Sequence, residues 1–281
     1  MKLLRYGPKG QEKLGMLDSA GKIRGLDGLG SFGGEMVESD SLNRLSALDP
    51  DSLPLVEDTP RIGSCLAHVP NFYCIGLNYS KHAAETGAQP PKEPILFSKA
   101  TSALAGPFDD VVIPKDSVKA DWEIELGVVI GARCEHVSEK DALSKVAGYC
   151  TINDLSEREF QIERGGQWIK GKSAPGFGPI GPWLVTADEV PDPQNLRLWL
   201  SLNGKVVQDS NTSDMIFSVA EIISYMSRFM TLVPGDIIST GTPSGVGMGM
   251  KPQRFLVPGD QMELEVVGLG SQRQLTVAWS S

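Results

Sequence analysis

Asp121-Trp122-Glu123-Ile124-Glu125-Leu126-Gly127 alternates acidic and apolar side chains with a period of two. On an extended strand, side chains at i and i+2 share a face. Glu123 and Glu125 then project together, about 6–7 Å apart at Cβ for a rise of about 3.3 Å per residue. Trp122, Ile124, Leu126 and Val128 fill the opposite, apolar face. On a helix the two glutamates would diverge. Converging carboxylates repel unless a proton or a cation lies between them. A hard divalent ion such as Mg²⁺, Ca²⁺ or Mn²⁺ suits those oxygens. The bland alternative is a solvated E-x-E on an edge strand.

Outward from this stretch, strands are expected over 2–6, 13–17, 71–76, 95–99, 111–113, 123–130, 146–152, 196–202, 237–239 and 262–267. Helices are expected over 39–48, 141–147 and 219–229; in the last, Ile222, Ile223, Met226 and Phe229 recur at helical spacing. The 31 glycines and 19 prolines fit many short strands joined by turns, and 25–34 is rich in turn residues. Strands outnumber helices without regular β–α alternation. The expected class is therefore α+β, mostly β, with a mixed and largely antiparallel architecture rather than a doubly wound sheet. Residues 1–65 read as a small N-terminal α+β domain and 66–281 as the larger, catalytic one.

The 281 residues, 41% hydrophobic and 22% charged, have the composition of an ordinary globular enzyme. A net charge of −9 argues against nucleic acid and against anionic lipid as partners. An acidic protein that handles an acidic substrate needs a local cation, which a metal would supply. Cys65, Cys74, Cys134 and Cys150 form no C-x-x-C pair, so free buried thiols in a reducing compartment are expected. The first residues lack an apolar signal core, and no stretch approaches the roughly 20 apolar residues of a membrane span. A cytoplasmic protein is expected.

Asp154 ends Gly148-Tyr-Cys-Thr-Ile-Asn-Asp154, just past a strand-like run. With Glu123 and Glu125 it would complete a three-carboxylate oxygen site. Mg²⁺ takes few protein ligands and keeps waters, so a substrate would have room. Asp154 could equally be a turn residue. Asn78-Tyr-Ser-Lys-His82-Ala-Ala-Glu85-Thr-Gly87 reads as one or two helical turns stopped by Gly87 and by Pro90-Pro91. His82 and Glu85, at i and i+3, share a face. Glu85 could orient the imidazole and leave its other nitrogen to take a proton from water. The alternative is a surface pair worth about 0.2–0.5 kcal/mol. His68 precedes Val69-Pro70 and His136 sits in a polar turn, neither with a comparable partner.

Gly166-Gln-Trp-Ile-Lys-Gly171-Lys172-Ser173 matches a phosphate-loop pattern, which needs a helix directly after it. Ala174-Pro-Gly-Phe-Gly-Pro179 excludes that helix, and nucleotide binding with it. Lys172 stays a candidate, because glycine-rich surroundings allow close backbone approach to a ligand. Gly235–Gly247 is a short strand ending in a donor-rich loop, either an oxyanion-binding loop or a plain tight turn.

In this order the blocks Gly76-Leu-Asn-Tyr-Ser-Lys-His82-Ala-Ala-Glu85, Asp121–Gly127, Asn153-Asp154-Leu-Ser-Glu-Arg158, Gly171-Lys172-Ser173 and Thr240-Gly-Thr242-Pro-Ser-Gly-Val-Gly247 closely resemble the fumarylacetoacetate hydrolase family. The opening Met1-Lys-Leu-Leu-Arg-Tyr-Gly-Pro and the length resemble its bacterial 2,4-diketo-3-deoxy-L-rhamnonate or -fuconate hydrolase branch, some members of which carry a ureidoglycolate lyase label. The resemblance implies a mixed β-roll, commonly homodimeric, and a Mg²⁺ or Mn²⁺ ion on Glu123, Glu125 and Asp154. It implies a His82–Glu85 dyad on a lid helix, an active-site lysine at Lys172, a substrate-contacting threonine at Thr242, and an arginine at Arg158. Ser173-Ala-Pro-Gly176 departs from the family pattern. The implied reaction is hydrolysis of a carbon–carbon bond in an acylpyruvate, a small keto acid, to pyruvate and a second acid. Isomerisation of a hydroxy-dienedioate and decarboxylation of oxaloacetate are the implied alternatives.

Overall fold

A computed structural model describes residues 1–26, 28–29 and 32–280. The turn-rich segment expected over 25–34 lies partly outside the described residues. The first strands are β1 (Lys2–Tyr6), β2 (Lys13–Leu17), β3 (Ile23–Gly25), β4 (Phe72–Gly76), β5 (Ile95–Lys99), β6 (Leu104–Ala105), β7 (Val111–Ile113), β8 (Ala120–Asp121) and β9 (Ile124–Ile130). They are followed by β10 (Val146–Asn153), β11 (Ser156–Glu157), β12 (Gly178–Thr186), β13 (Arg197–Leu202), β14 (Lys205–Asn211), β15 (Ile237–Ser239), β16 (Gln261–Val266) and β17 (Ser271–Ala278). The helices are α1 (Ser39–Ser46), α2 (Ser80–Glu85), α3 (Glu139–Ala142), α4 (Ile169–Lys172) and α5 (Val219–Met226).

A ten-stranded sheet runs β3-β2-β1-β12-β10-β9-β15-β4-β5, with β6 added in parallel to β12. A second sheet runs β14-β13-β16-β17-β7. Pairing is mixed: β15 lies parallel to β4 and antiparallel to β9. The α+β, strand-dominated architecture matches the sequence-based expectation. The N-terminal strands join the same large sheet through β1 and β12.

β9 is an interior strand, not the solvated edge that an isolated E-x-E allows. Period two sorts its side chains. Ile124, Leu126, Val128 and Ile130 pack into a core shared with Leu198, Leu200, Leu264 and Val266 of the second sheet and with Ile222, Ile223 and Met226 of α5. Val129 faces a second core with Leu3, Leu14, Met16, Leu45, Ile152, Leu184 and Ile237. Both faces of the sheet are thus covered, and Glu123 and Glu125 sit where apolar packing gives way to a buried polar pocket. Removing a mid-size core side chain here would cost about 2–5 kcal/mol.

α5 starts where Ser218 and Glu221 close a capping box: Glu221 N–H donates to Ser218 Oγ, and Ser218 N–H donates to Glu221. It ends at Met226, shorter than the expected 219–229. The helix expected over 141–147 is split: α3 gives way to a tight turn over Leu143–Lys145, and Val146 already belongs to β10. All four cysteines are free and buried. Among the described residues no helix is long and apolar enough to cross a membrane.

Candidate active site

Chain order scatters the acidic candidates, and strand register gathers them. Ile152 pairs with Glu125, and Asn153 with Ile124, so the end of β10 lies beside the start of β9. Asp154 N–H then donates to the Glu123 carbonyl at 2.8 Å. Ligand oxygens of Glu123, Glu125 and Asp154 lie within 4.8 Å of one another, and all three residues are buried.

A row of cations faces them. Lys172 Nζ donates to Glu123 Oε2 and to Asp154 Oδ2, each at 2.6 Å. Lys99, at the end of β5, bonds the other Asp154 oxygen. Arg158 lies 2.6 Å from Glu123 Oε1 through Nη2, and its Nε donates to Asp121 Oδ2 at 2.8 Å. Burial alone would raise the Glu123 pKa, but Arg158 and Lys172 more than offset it and hold the group below the usual carboxylate range. Burial likewise opposes the Lys172 ammonium, and Asp154 and Glu123 push its pKa up instead. Glu125 differs. Burial, then Asp154 and Glu123, raise its pKa well above normal, and its Oε2 accepts from Ser239 Oγ at 2.6 Å and Gly241 N–H at 2.8 Å.

This donor set fits a hard divalent cation. Every ligand is a carboxylate, and the three repel one another where they are buried. An added positive charge would relieve the strain registered at Glu125.

Lys172 reaches the cluster because residue 171 is glycine. A Cβ there would lie 2.3 Å from the Glu157 carbonyl oxygen and 2.5 Å from Gln161 Cβ. The close approach anticipated around Lys172 is thus backbone against protein. No long helix follows Ser173, in line with the rejected nucleotide site.

His82 Nδ1 and Glu85 Oε1 lie 2.8 Å apart on α2. Gly245 N–H donates to both Glu85 oxygens, at 3.1 and 2.8 Å, and clasps α2 to the loop after β15. Asn78 anchors the entry to α2 by donating to the Thr240 and Phe217 carbonyls. Four of the loop's N–H donors bond the chain's own carboxylates: Gly241 to Glu125, Gly245 to Glu85, Gly247 and Met248 to Asp121. Its sequence left an oxyanion-binding loop open; these four donors position side chains.

His82, Glu123, Arg158, Lys172 and Thr242 line one cavity of about 250 Å³. Thr242 Oγ1 donates to the Ile124 carbonyl and accepts from Gln208 Nε2, both at 2.8 Å. His68 lines a separate cavity. Sequence reasoning missed Lys99, Asp121 and Gln208. Lys99 carried one faint signal, a cation closing the otherwise apolar run Ile95-Leu-Phe-Ser-Lys99.

Known proteins resemble this chain over nearly its whole length. Residues 71–277 match the fumarylacetoacetate (FAA) hydrolase C-terminal domain. A "putative hydrolase" of Burkholderia orbicola is 59% identical over 278 residues, covering 98% of this chain and 99% of its own. The fumarylacetoacetate hydrolase of Exiguobacterium antarcticum superposes with a TM-score of 0.85 at 34% identity, covering 99% of this chain and all of its own. A Mycobacterium abscessus protein named as a "probable 2-hydroxyhepta-2,4-diene-1,7-dioate isomerase" gives a TM-score of 0.83 at 29% identity, with both chains fully covered. With the domain match spanning most of the chain and the whole fold shared, this protein belongs to the fumarylacetoacetate hydrolase family, whose members are hydrolases and isomerases.

Proposed function

We propose that the protein hydrolyses the C3–C4 bond of an acylpyruvate, releasing pyruvate and a second carboxylic acid. The observation that carries this reading is His82, paired with Glu85 at 2.8 Å, lining the same cavity as Glu123, Arg158 and Lys172. Glu123, Glu125 and Asp154 would hold Mg²⁺, or Mn²⁺ or Ca²⁺. When bound, the ion would supply Lewis-acid stabilisation of the negative charge that develops as the bond breaks.

The side chains divide the remaining work. With Nδ1–H donated to Glu85, His82 Nε2 carries the lone pair and takes a proton from water. The water oxygen adds to the C4 carbonyl. The C3–C4 electron pair then leaves with C3, which receives the proton and completes pyruvate. Lys172 and Arg158 stay protonated and act as fixed positive charges beside the oxyanion. Glu85 and Gly245 keep the imidazole aimed throughout.

The isomerase reading shares the enolate chemistry and draws on the Mycobacterium abscessus relative. His82 separates the two, since only hydrolysis needs an activated water. Incubation with acetylpyruvate and Mg²⁺, with pyruvate measured by a coupled assay, tests the proposal. Release should be lost on chelation and should fall by about 10²–10⁴-fold in His82→Ala. Isomerised product without pyruvate would replace hydrolysis with the second reading.

A further inference from the structure

The cavity has two chemically different ends. The reacting end carries His82 and the paired charges of Glu123, Arg158 and Lys172. The other wall is Leu77, Phe97, Trp168 and Met248, with Ile162 exposed at the rim. Phe97 and Trp168 meet edge to face, 5.1 Å between centroids at 64°. The Lys172 ammonium lies 5.0 Å from the Phe97 ring centroid, which joins this wall to the reacting end. Trp168 can occupy its place because residue 76 is glycine: a Cβ there would lie 2.5 Å from Trp168 Cζ3.

Leu77 adds a second observation. Its φ is +53°, left-handed backbone that a branched apolar residue rarely adopts. Asn or Gly would hold that backbone with less strain. The leucine side chain, not the backbone, therefore accounts for the residue at this position.

Most polar side-chain atoms on the tail side are engaged within the protein, the Gln161 Nε2 amide being the exception. Thr86 Oγ1 donates to the His82 and Ala83 carbonyls, and Gln161 Oε1 accepts from Arg158. The lysine and arginine that line the cavity are Lys172 and Arg158, and both pair with buried carboxylates. A second carboxylate, or a row of hydroxyls, would meet the Gln161 amide but no lysine or arginine that lacks a carboxylate partner, and would leave most of its hydrogen-bonding groups unmatched.

Resting on the acylpyruvate reading above, we propose that the acyl group is apolar, a short alkyl or aryl chain seated on Leu77, Phe97, Trp168 and Met248. The deoxy-sugar tail implied by resemblance and the terminal carboxylate of a dienedioate both fit this wall less well.

The test uses acylpyruvates of matched length with alkyl, aryl, hydroxylated and ω-carboxylated tails, in Mg²⁺. It is paired with calorimetric binding of the corresponding 2-oxo acids, which reads tail preference without turnover. Each added methylene should raise kcat/KM about fourfold until the wall is filled, from the transfer free energy of one methylene. Leu77→Asn keeps a residue that tolerates the left-handed backbone. It should cut the alkyl-over-hydroxylated ratio about tenfold in both kcat/KM and affinity. Tighter binding of hydroxylated or carboxylated tails would overturn the proposal, as would an unchanged ratio in Leu77→Asn. Preferential binding of apolar 2-oxo acids with no pyruvate from any acylpyruvate would support the tail assignment and sink the hydrolase reading instead.

Discussion

Glu85→Gln isolates the charge of the dyad from its shape. The carboxylate is hemmed in: a Cβ on Gly249 would lie 2.6 Å from Glu85 Cδ, so an isostere is needed. Glutamine keeps an oxygen that can accept the Gly245 N–H or the His82 Nδ1–H, but the bond to the imidazole becomes neutral. Hydrogen bonds to a charged partner contribute about 1.5–3 kcal/mol, against about 0.5–1.5 for neutral ones. The difference, about 1–2 kcal/mol, becomes about 5–30-fold in kcat at about 1.36 kcal/mol per tenfold. His82→Ala should lose about 10²–10⁴-fold. Because Glu85 acts through His82, the double variant should be no slower than His82→Ala alone. The assay is pyruvate release in saturating Mg²⁺, with thermal midpoints as a control for the Gly245 clasp. If Glu85→Gln multiplies its full loss onto that of His82→Ala, the two do not work as a unit and the dyad is wrong. A silent Glu85→Gln would be equally damaging.

Three further outcomes are expected. Mg²⁺ at about 100 times its Kd should stabilise the protein by about 2.7 kcal/mol, raising the thermal midpoint by roughly 5–10 °C. Glu125→Gln, which retains an acceptor for Ser239 and Gly241, should lose most of that shift in scanning fluorimetry. In Gln272→Leu, the Thr151 and Gly181 carbonyls lose the side-chain amide that donates to them at 2.7 and 3.0 Å. Urea unfolding should show a loss of about 1–3 kcal/mol. Burial would raise the Asp109 and Glu12 pKa values, but hydrogen bonds, those from Arg61 among them, bring both below their ordinary 3.8 and 4.5. Their contribution is therefore present above those values and lost as pH falls through the lower folded ones. Arg61→Met should flatten the decline in urea stability below about pH 4.5; an unchanged slope would remove these pairs from the acid limb.

Strands were legible where both the period and the boundaries survive in local sequence, as in β1, β2, β5, β7 and β15. Three of the longer strands were hidden for different reasons. β12 contains Pro179 and Pro182, which remove ladder donors, and its pairing with β10 shifts register between Tyr149 and Thr151. β17 is inverted: Gln272, Gln274 and Thr276 point inward while Leu275 is half-exposed, so hydrophobic alternation reads backwards. Its buried amides form a ladder, Gln274 donating to Gln272 and to the Pro107 carbonyl and accepting from Asn153. β14 carried a readable signal that alternation alone passes over. Asn203-Gly204, with φ of +52° and +78°, is the two-residue hairpin that pairs β13 with β14.

The same distinction runs through the site. The E-x-E of Glu123 and Glu125 and the i,i+3 pair of His82 and Glu85 are local spacings, and a strand and a short helix suffice to place each. Lys99 and Asp121 acquire their roles only once the sheet is assembled. β5 reaches Asp154 through the order β9-β15-β4-β5, and Asp121 ties Arg158 to Gly247 and Met248 across more than a hundred residues. Those long-range partners decide what the acidic cluster is. Without cations, the four buried carboxylates of Asp121, Glu123, Glu125 and Asp154 would bind protons instead of staying charged. Lys99, Arg158 and Lys172 hold Asp121, Glu123 and Asp154 by direct bonds, and the oxygens of Glu123 and Asp154 converge with that of Glu125. Glu125 alone lacks a lysine or arginine within bonding distance, and it is the member whose pKa is raised well above normal. A divalent ion at that point would serve the carboxylate that the protein's own cations do not reach.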